Sequence, residues 1–317
     1  MLNILTITGP IYIAIGLGYT ATRRGFFSKA DTQALGRFVM YFALPAMLFN
    51  ALAQRHFEDV LHAGFLWAYG LGSLFAFVSA FTIWRTVRHK GVTESALAAL
   101  GTSSPNSGYI GYPILLQVLG PSAGVGLALA LLVENLLIIP LALVLADAGA
   151  RQQGTWQKTL QQSLWRLRKS PMIWAILLGI VFSMVGIELP EVVSKTIHLF
   201  AVACSALALF VIGGSLVGLS LSGLAKQVSW IVVGKLVVHP LAVAAVLWCL
   251  PPMDASLQIS ALLLSSMPML SIYPLIAQPH GQEGFCAATL LATTVVSFFT
   301  ISFILWGMTQ VPGWHLS

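Results

Sequence analysis

Long apolar stretches alternate with short polar ones along the whole chain. Ten stretches of about 20 residues carry almost no charge, and that length suits an α-helix that crosses the ~30 Å hydrocarbon core of a bilayer. They lie near residues 3–22, 34–53, 62–84, 94–119, 123–146, 170–188, 196–219, 228–250, 256–279 and 284–308. Apolar residues are continuous within each stretch and do not alternate, so the pattern predicts ten transmembrane helices and no barrel strands.

The composition agrees with this pattern. Apolar residues make up 57% of the 317 residues, charged residues only 8%, and the mean hydropathy is +0.87. Soluble domains carry about 25% charged residues, so we expect an all-α integral membrane protein whose surroundings are the lipid bilayer. The net charge of +6 lies in short loops and not along one face, which argues against a nucleic-acid partner.

Motifs of several enzyme classes are missing from the sequence. It contains no GxSxG, HExxH or GxxxxGK[ST] string, and Cys204, Cys249 and Cys286 lack the spacing of metal ligands. We therefore expect no enzyme activity, no cofactor and no metal.

The basic residues predict how the helices are oriented. If the N-terminus lies outside the cytoplasm, 13 of the 16 lysines and arginines fall in inside loops, Arg55 and Lys195 fall in outside loops, and Lys235 lies within a helix. Inside loops of membrane proteins are enriched in lysine and arginine. We therefore expect both termini outside and the longest polar connection, residues 151–169, in the cytoplasm.

The two halves of the chain, residues 1–150 and 170–317, resemble each other at an offset of 161 residues. The offset relates Gly18 to Gly179, Phe49 to Phe210, the Tyr-Pro pair 112–113 to the pair 273–274, and Gly120 to Gly281. Each half has five predicted helices, and an odd number inverts the second half in the membrane. Inverted repeats are typical of secondary transporters.

The fourth and ninth predicted helices are interrupted. Their helix-breaking residues are Pro105, Gly108, Gly111 and Pro113 in the fourth helix, and Pro268 and Pro274 in the ninth. Backbone groups released inside a membrane need a protein, water or ligand partner. Two such breaks that cross near the midplane would form a small polar site, and half-helix N-termini there favour an anion. Alternatively, the prolines only kink the helices.

Polar side chains flank both breaks. We identify Asn106, Ser107, Tyr109, Ser271 and Tyr273 as candidate substrate-binding residues, because uncharged donors can hold a carboxylate without trapping it. Four further serines either face this site or bond to carbonyls of their own helices. They are Ser103, Ser104, Ser265 and Ser266.

Polar and ionisable residues at membrane depth are candidates for ion coupling. These are Glu134 and Asn135 in the fifth predicted helix and Lys235 and His239 in the eighth. Glu134 could carry a coupling proton or pair with Lys235. Alternatively, Glu134 lies near one interface, Lys235 extends towards the other, and His239 packs in the core.

Three segments resemble motifs of the auxin efflux carrier family. PNSGYIGYPIL (residues 105–115) is similar to the family's fourth-helix signature, ALPAMLF (43–49) to its second-helix motif, and GKLVVHPLA (234–242) to the eighth-helix motif of bacterial members. The three segments are spaced over nearly the whole chain. The short connection 151–169 resembles that of bacterial members.

The resemblance implies a scaffold built from helices 1, 2, 6 and 7 and a mobile transport domain built from helices 3–5 and 8–10. Helices 4 and 9 would cross at Pro105 and Pro268, with Asn106 contacting the substrate. The resemblance also implies a homodimer in the bacterial inner membrane, with both termini periplasmic. The sequence departs from plant members at residues 269–271, which read Met-Leu-Ser where a second asparagine is expected.

The resulting hypothesis is a secondary transporter that moves a small organic anion by an elevator type of alternating access. The substrate would be a carboxylate such as malonate, or an auxin-like acid. Two alternatives stay open, namely a sodium-coupled carrier of another organic solute and a membrane sensor that transports nothing.

Overall fold

The computed structural model describes residues 2–54, 62–149, 168–186, 189–219 and 225–311, together with residues 161, 165 and 314. All regular elements in this part of the chain are helices. Six helical segments are long and apolar enough to cross a membrane, and two shorter helices are also apolar. The predicted all-α membrane class is therefore confirmed. Most of the predicted loop 151–169, and the loop residue Arg55, lie outside the described residues.

Fifteen α-helices form the described part of the fold. They are α1 (Leu2–Arg23), α2 (Lys29–Phe38), α3 (Leu44–Ala53), α4 (Ala63–Thr86), α5 (Val92–Ser103), α6 (Tyr112–Leu119), α7 (Ala123–Val133), α8 (Ile139–Gly149), α9 (Pro171–Val185), α10 (Glu191–Ser215), α11 (Ala225–Val233), α12 (His239–Cys249), α13 (Ala255–Ser266), α14 (Tyr273–Ala277) and α15 (Glu283–Met308).

Within the described residues, four single π-helical turns interrupt the predicted helices. They are Val39–Ala43, Ser107–Gly111, Glu134–Ile138 and Gly234–Val238. Each turn ends two residues before a proline, and these prolines are Pro45, Pro113, Pro140 and Pro240. A proline ring clashes with the carbonyl four residues earlier and offers no N–H to it. The wider π turn accommodates the ring, so helix pairs such as α2–α3 and α7–α8 continue as single membrane segments.

The helices pack in two groups. In the first group α1 lies along α10, and α3 packs against both α9 and α10. In the second group α4 packs against α5 and α12, α5 against α8, and α13 against α7 and α12. Helices α11, α14 and α15 complete the second group. Contacts of α3 with α7, and of α1 with α6 and α15, join the two groups.

Close helix contacts in the first group are related by the 161-residue offset. A Cβ atom on Gly18 of α1 would overlap the carbonyl group of Phe210 in α10. A Cβ atom on Gly179 of α9 would lie 2.8 Å from Leu52 Cβ and 3.5 Å from the carbonyl oxygen of Phe49 in α3. Both pairs join a glycine of one half to a phenylalanine of the other. Small residues permit such close backbone approach between membrane helices.

Replacing Gly18 with alanine is expected to destabilise the fold, because the new methyl group would meet the backbone of Phe210. Overpacking of this kind costs about 1–3 kcal/mol. Thermal unfolding of the purified protein in detergent should show a lower Tm. Gly16→Ala is the matched control in the same helix, since a Cβ there has no neighbour within 4 Å. An equal Tm for both variants would contradict the close contact.

Candidate functional site

Two helix breaks meet inside the protein. The chain is extended between α5 and α6 at Pro105 and between α13 and α14 at Met269, and these two residues form an antiparallel bridge. Asn106 N–H donates to the carbonyl of Pro268 at 2.7 Å, and Leu270 N–H donates to the carbonyl of Ser104 at 3.2 Å. Backbone N–H and carbonyl groups that lose their helical partners at one break thus hydrogen-bond to the other break. Burial in a membrane requires such partners.

The second half of the first broken helix starts at Asn106. Its side-chain oxygen accepts from the N–H of Tyr109 at 3.3 Å, and its backbone carbonyl accepts from Ile110 and Gly111. An asparagine side chain is a favourable N-cap because it accepts from an otherwise unpaired N–H group. This arrangement leaves the amide nitrogen Nδ2 of Asn106 buried without a hydrogen-bond partner.

A cavity of about 70 Å³ lies against the crossing. It is lined from both breaks and from the first group of helices. The lining residues are Met40, Leu44, Ser104, Pro105, Asn106, Ser107, Gly108, Tyr109, Leu131, Glu134, Asn135, Ile139, Met172, Leu270, Ser271 and Ile272. The cavity therefore lies at the junction between the two packing groups.

Glu134 provides the carboxyl group of the cavity. It is 4% exposed, and its Oε1 accepts from Ser107 Oγ at 2.5 Å and from the Tyr69 hydroxyl at 2.9 Å. Ser107 lies in the π turn beyond the first break, and Tyr69 lies on α4. Two hydroxyl donors stabilise a buried carboxyl group in either protonation state better than an apolar wall would.

Lys235 and His239 form a second buried polar cluster. Lys235 Nζ donates to the carbonyl of Ser265 at 2.9 Å and lies 2.7 Å from His239 Nδ1. His239 Nε2 lies 2.8 Å from Ser73 Oγ. When Lys235 is protonated its Nζ has only donors, so Nδ1 accepts from it and Nε2 carries the ring proton. The cluster ties α12 to the end of α13, directly before the second break.

The structure corrects the predicted arrangement of these charges. Among the described residues, Glu134 and Lys235 do not approach within 4 Å as an ion pair, and each hydrogen-bonds to other groups. Lys235 does not extend to a membrane interface, because it is 0% exposed, and Glu134 is buried within the protein at 4% exposure. Tyr69 lies between the clusters, and its ring centroid is 6.2 Å from that of His239.

Some of the other candidate binding residues line the cavity, and others do not. Ser271 and Asn135 line the cavity, but the Asn135 amide donates to the Leu131 carbonyl. Tyr109 lines it too, with its hydroxyl on the Gly36 carbonyl of α2 at 3.0 Å. Tyr273 is not among the lining residues. Its hydroxyl donates to the carbonyl of Leu97 in α5 at 2.9 Å, and this hydrogen bond links α14 to α5.

The helix-breaking residues also have distinct positions. Pro105 and Pro268 lie in the extended crossing segments, whereas Pro113 and Pro274 lie in the first turns of α6 and α14. Proline is favourable in a true first turn such as that of α14, where its missing N–H costs nothing, whereas the preceding π turn accommodates the ring of Pro113. Gly108 lies in a π turn against the side chain of Leu44, and a Cβ on Gly111 in the same turn would lie 2.6 Å from Leu264 Cδ2.

Tyr69 and Ser73 belong to the polar clusters, but sequence reasoning did not identify them as site residues. It left open whether Ser104, which lines the cavity, faces the site or bonds within its helix. Tyr69 and Ser73 are four residues apart on α4, so they share one face of an otherwise apolar helix. That spacing was the available signal. Ser104 directly precedes Pro105, and this position was the signal that it leaves the helix.

The buried polar cavity and the apolar helices around it are features of a multi-pass membrane transport protein. The profile of the family described as "Membrane transport protein" matches residues 4–305. A Rhizobium meliloti protein named "Putative malonate transporter" is 28% identical over 312 residues, covering 96% of both chains. The Escherichia coli K12 protein named "Uncharacterized transporter YfdV" is 28% identical over 241 residues, covering 75% of this chain and 76% of its own.

The chain belongs to this membrane transport protein family, and its resemblance to the auxin efflux carriers is confirmed. A mouse protein named "Lysosomal cholesterol signaling protein" is also similar, at 26% identity over 212 residues. These residues cover 63% of this chain and 24% of the mouse protein.

Replacing Glu134 with leucine is expected to lower the Tm, because Ser107 and Tyr69 would each lose their acceptor. An unpaired buried hydroxyl costs about 1–3 kcal/mol. Glu134→Gln is the matched control, since its amide oxygen can accept from both hydroxyls. Thermal unfolding of both variants in the same detergent would test the network. A leucine variant as stable as the glutamine variant would argue against it.

Proposed function

We propose that this protein is a secondary transporter that carries a small organic anion across the membrane. The observation that carries the proposal is the buried crossing of two broken helices beside a cavity with an unpaired amide donor, Asn106 Nδ2. A buried donor without a partner costs free energy, so a ligand that accepts from it gains that free energy on binding. The same cavity adjoins both packing groups, as alternating access requires.

We further propose ten membrane spans in two inverted repeats, residues 1–150 and 170–317, joined by a cytoplasmic loop over 151–169. The paired contacts of Gly18 with Phe210 and of Gly179 with Phe49 support the repeat. Gly120 and Gly281, which are also 161 residues apart, both have positive φ angles, of 57° and 69°, but their ψ angles of −139° and 18° differ. Glycine adopts positive φ angles without steric cost.

The proposed mechanism is an elevator. The group of α1, α2, α3, α9 and α10 would be the scaffold, and the other helices would form the mobile transport domain. Their packing supports this division, because most close contacts lie within one group. Hydrogen bonds from Tyr109 to the Gly36 carbonyl and between the Tyr12 and Ser297 hydroxyls join the groups. Movement of one group against the other would exchange such contacts and expose the cavity to the opposite side.

A carboxylate is the proposed substrate group. Uncharged donors in the cavity suit reversible binding of a carboxylate, and one relative has malonate in its name. Glu134 is the candidate coupling group, since a proton on it would reduce repulsion of an approaching anion. Sodium-coupled carriage of another organic solute is the alternative.

The proposed location is the bacterial inner membrane, with both termini periplasmic and a homodimer formed through the scaffold. The charge asymmetry of the loops supports this orientation. The family resemblance supports the dimer.

A membrane sensor without transport activity is a second candidate function. The similarity to the mouse signaling protein favours it, although that similarity covers only 24% of the mouse chain. A sensor would bind its ligand without moving it, so a flux measurement separates the two functions.

Replacing Asn106 with alanine is expected to lower uptake of labelled malonate by proteoliposomes severalfold or more at low malonate concentration, because the variant lacks the unpaired donor. Loss of a hydrogen bond to a charged group costs roughly 1.5–3 kcal/mol, or about a tenfold to hundredfold loss of affinity. Thermal unfolding controls for the fold, since alanine also removes the cap on Tyr109 N–H. Unchanged uptake would remove Asn106 from the site.

The same proteoliposomes can identify the coupling ion. Uptake should rise when a proton gradient is imposed and should not respond to a sodium gradient. In the Glu134→Gln variant the response to protons should be lost. A sodium response in the wild type would favour the alternative carrier, and ligand binding without any flux would favour the sensor.

A further inference from the structure

Four serines precede the two helix breaks, and one of them differs from the others. Ser103 Oγ donates to the carbonyl of Ala99, and Ser265 and Ser266 both donate to the carbonyl of Leu262. Ser104 is equally buried, at 0% exposure, but its hydroxyl has no hydrogen-bond partner in the protein. A buried serine in a helix normally bonds back to a carbonyl of the preceding turn, so Ser104 requires an explanation.

The local backbone explains why Ser104 does not bond to its own helix. A residue before proline is excluded from the helical conformation by the proline ring. Ser104 precedes Pro105 and adopts φ −111° and ψ 109°, which is extended. Its hydroxyl therefore cannot reach the carbonyls that serve Ser103. Its own carbonyl is used in the crossing, where it accepts from Leu270 N–H.

Ser104 is close in the chain to the other unpaired group of the cavity. Five buried side-chain atoms of the described residues lack a hydrogen-bond partner. Two of them, Ser104 Oγ and Asn106 Nδ2, belong to residues that line the same cavity on either side of Pro105. Buried polar groups are nearly always paired, and exceptions together at one cavity point to a ligand.

We propose that Ser104 Oγ and Asn106 Nδ2 together bind one carboxylate group of the substrate, and that the substrate is a short-chain carboxylate. This inference rests on the proposed transport function and narrows its substrate class. Within the described part of the chain, no lysine or arginine lines the cavity. Two uncharged donors thus supply the recognition that a cation would otherwise provide, and each contributes strongly to affinity.

The size of the cavity favours a short substrate. Its volume is about 70 Å³. A water molecule needs roughly 10–15 Å³ of such space, so the cavity holds roughly five to seven groups of that size. Malonate, with three carbons and four oxygens, lies at the upper end of this range. An indole acid has about twice as many non-hydrogen atoms and exceeds it, so the cavity favours a short-chain carboxylate over an auxin-like acid.

Adjacent serines offer a matched pair of variants. Ser104→Ala should raise the KM for malonate uptake roughly tenfold, the change expected for one hydrogen bond to a carboxylate. Ser103→Ala should leave KM within about twofold, because the Ser103 hydroxyl is already bonded within its helix. Equal KM values for Ser104→Ala and the wild type, or equal increases in both variants, would overturn the assignment.

Thermal unfolding distinguishes binding from a structural role. Without ligand, Ser104→Ala should be at least as stable as the wild type, because it removes a buried hydroxyl that has no protein partner. With malonate, its Tm should rise less than that of the wild type. A less stable variant without ligand would assign Ser104 a structural role and contradict the proposal.

A competition series tests the size limit. Unlabelled acetate, malonate, succinate, adipate and indole-3-acetate would be added to labelled malonate at equal concentration. Inhibition by the short acids and none by adipate or indole-3-acetate is expected, and strong inhibition by indole-3-acetate would overturn the size argument. If the wild type takes up none of these acids, the proposed function itself fails. If uptake occurs and only the Ser104→Ala result is negative, only the present inference fails.

Discussion

The structure depends on one exchange of backbone hydrogen bonds. Two helices are broken in the protein interior, and each break supplies the donor and acceptor that the other has lost, through Asn106 to Pro268 and Leu270 to Ser104. Without this exchange, unpaired amides and carbonyls would lie in a low-dielectric environment, where each costs several kcal/mol. The crossing thus permits irregular backbone at membrane depth, and irregular backbone brings polar side chains to a cavity that regular helices would fill with apolar ones.

Polar groups around the crossing are arranged as two separate clusters. Glu134 bonds to hydroxyls on two elements, and Lys235 bonds to a histidine and to a carbonyl next to the second break. Both residues lie in π turns that precede prolines. π turns often occur at functional positions because they reorient side chains without ending the helix. In this protein, Pro140 and Pro240 follow the π turns that contain Glu134 and Lys235, so the prolines that disturb these helices also affect the direction of the two ionisable side chains.

Much of this fold could be predicted from the sequence, because lipid imposes strong constraints. Apolar stretches of the right length indicated the helices, and the clustered prolines indicated both interruptions. Details that depend on three-dimensional packing could not be predicted. The orientation of Tyr273 towards the carbonyl of Leu97 depends on where α5 lies, and no local pattern encodes that. Likewise, an ion pair between Glu134 and Lys235 was predicted because opposite buried charges attract. In the structure, hydroxyl groups hydrogen-bond to Glu134 and a backbone carbonyl accepts from Lys235.

Because main-chain atoms make the crossing, it places few demands on the side chains beside it. Positions 104, 106 and 271 can differ in chemistry while the exchanged amides and carbonyls keep the two segments together. If these side chains bind the substrate, as proposed, architecture and selectivity are largely independent in this protein. During evolution, a protein with this fold could change its substrate through a few substitutions beside the crossing. Each intermediate variant would still fold.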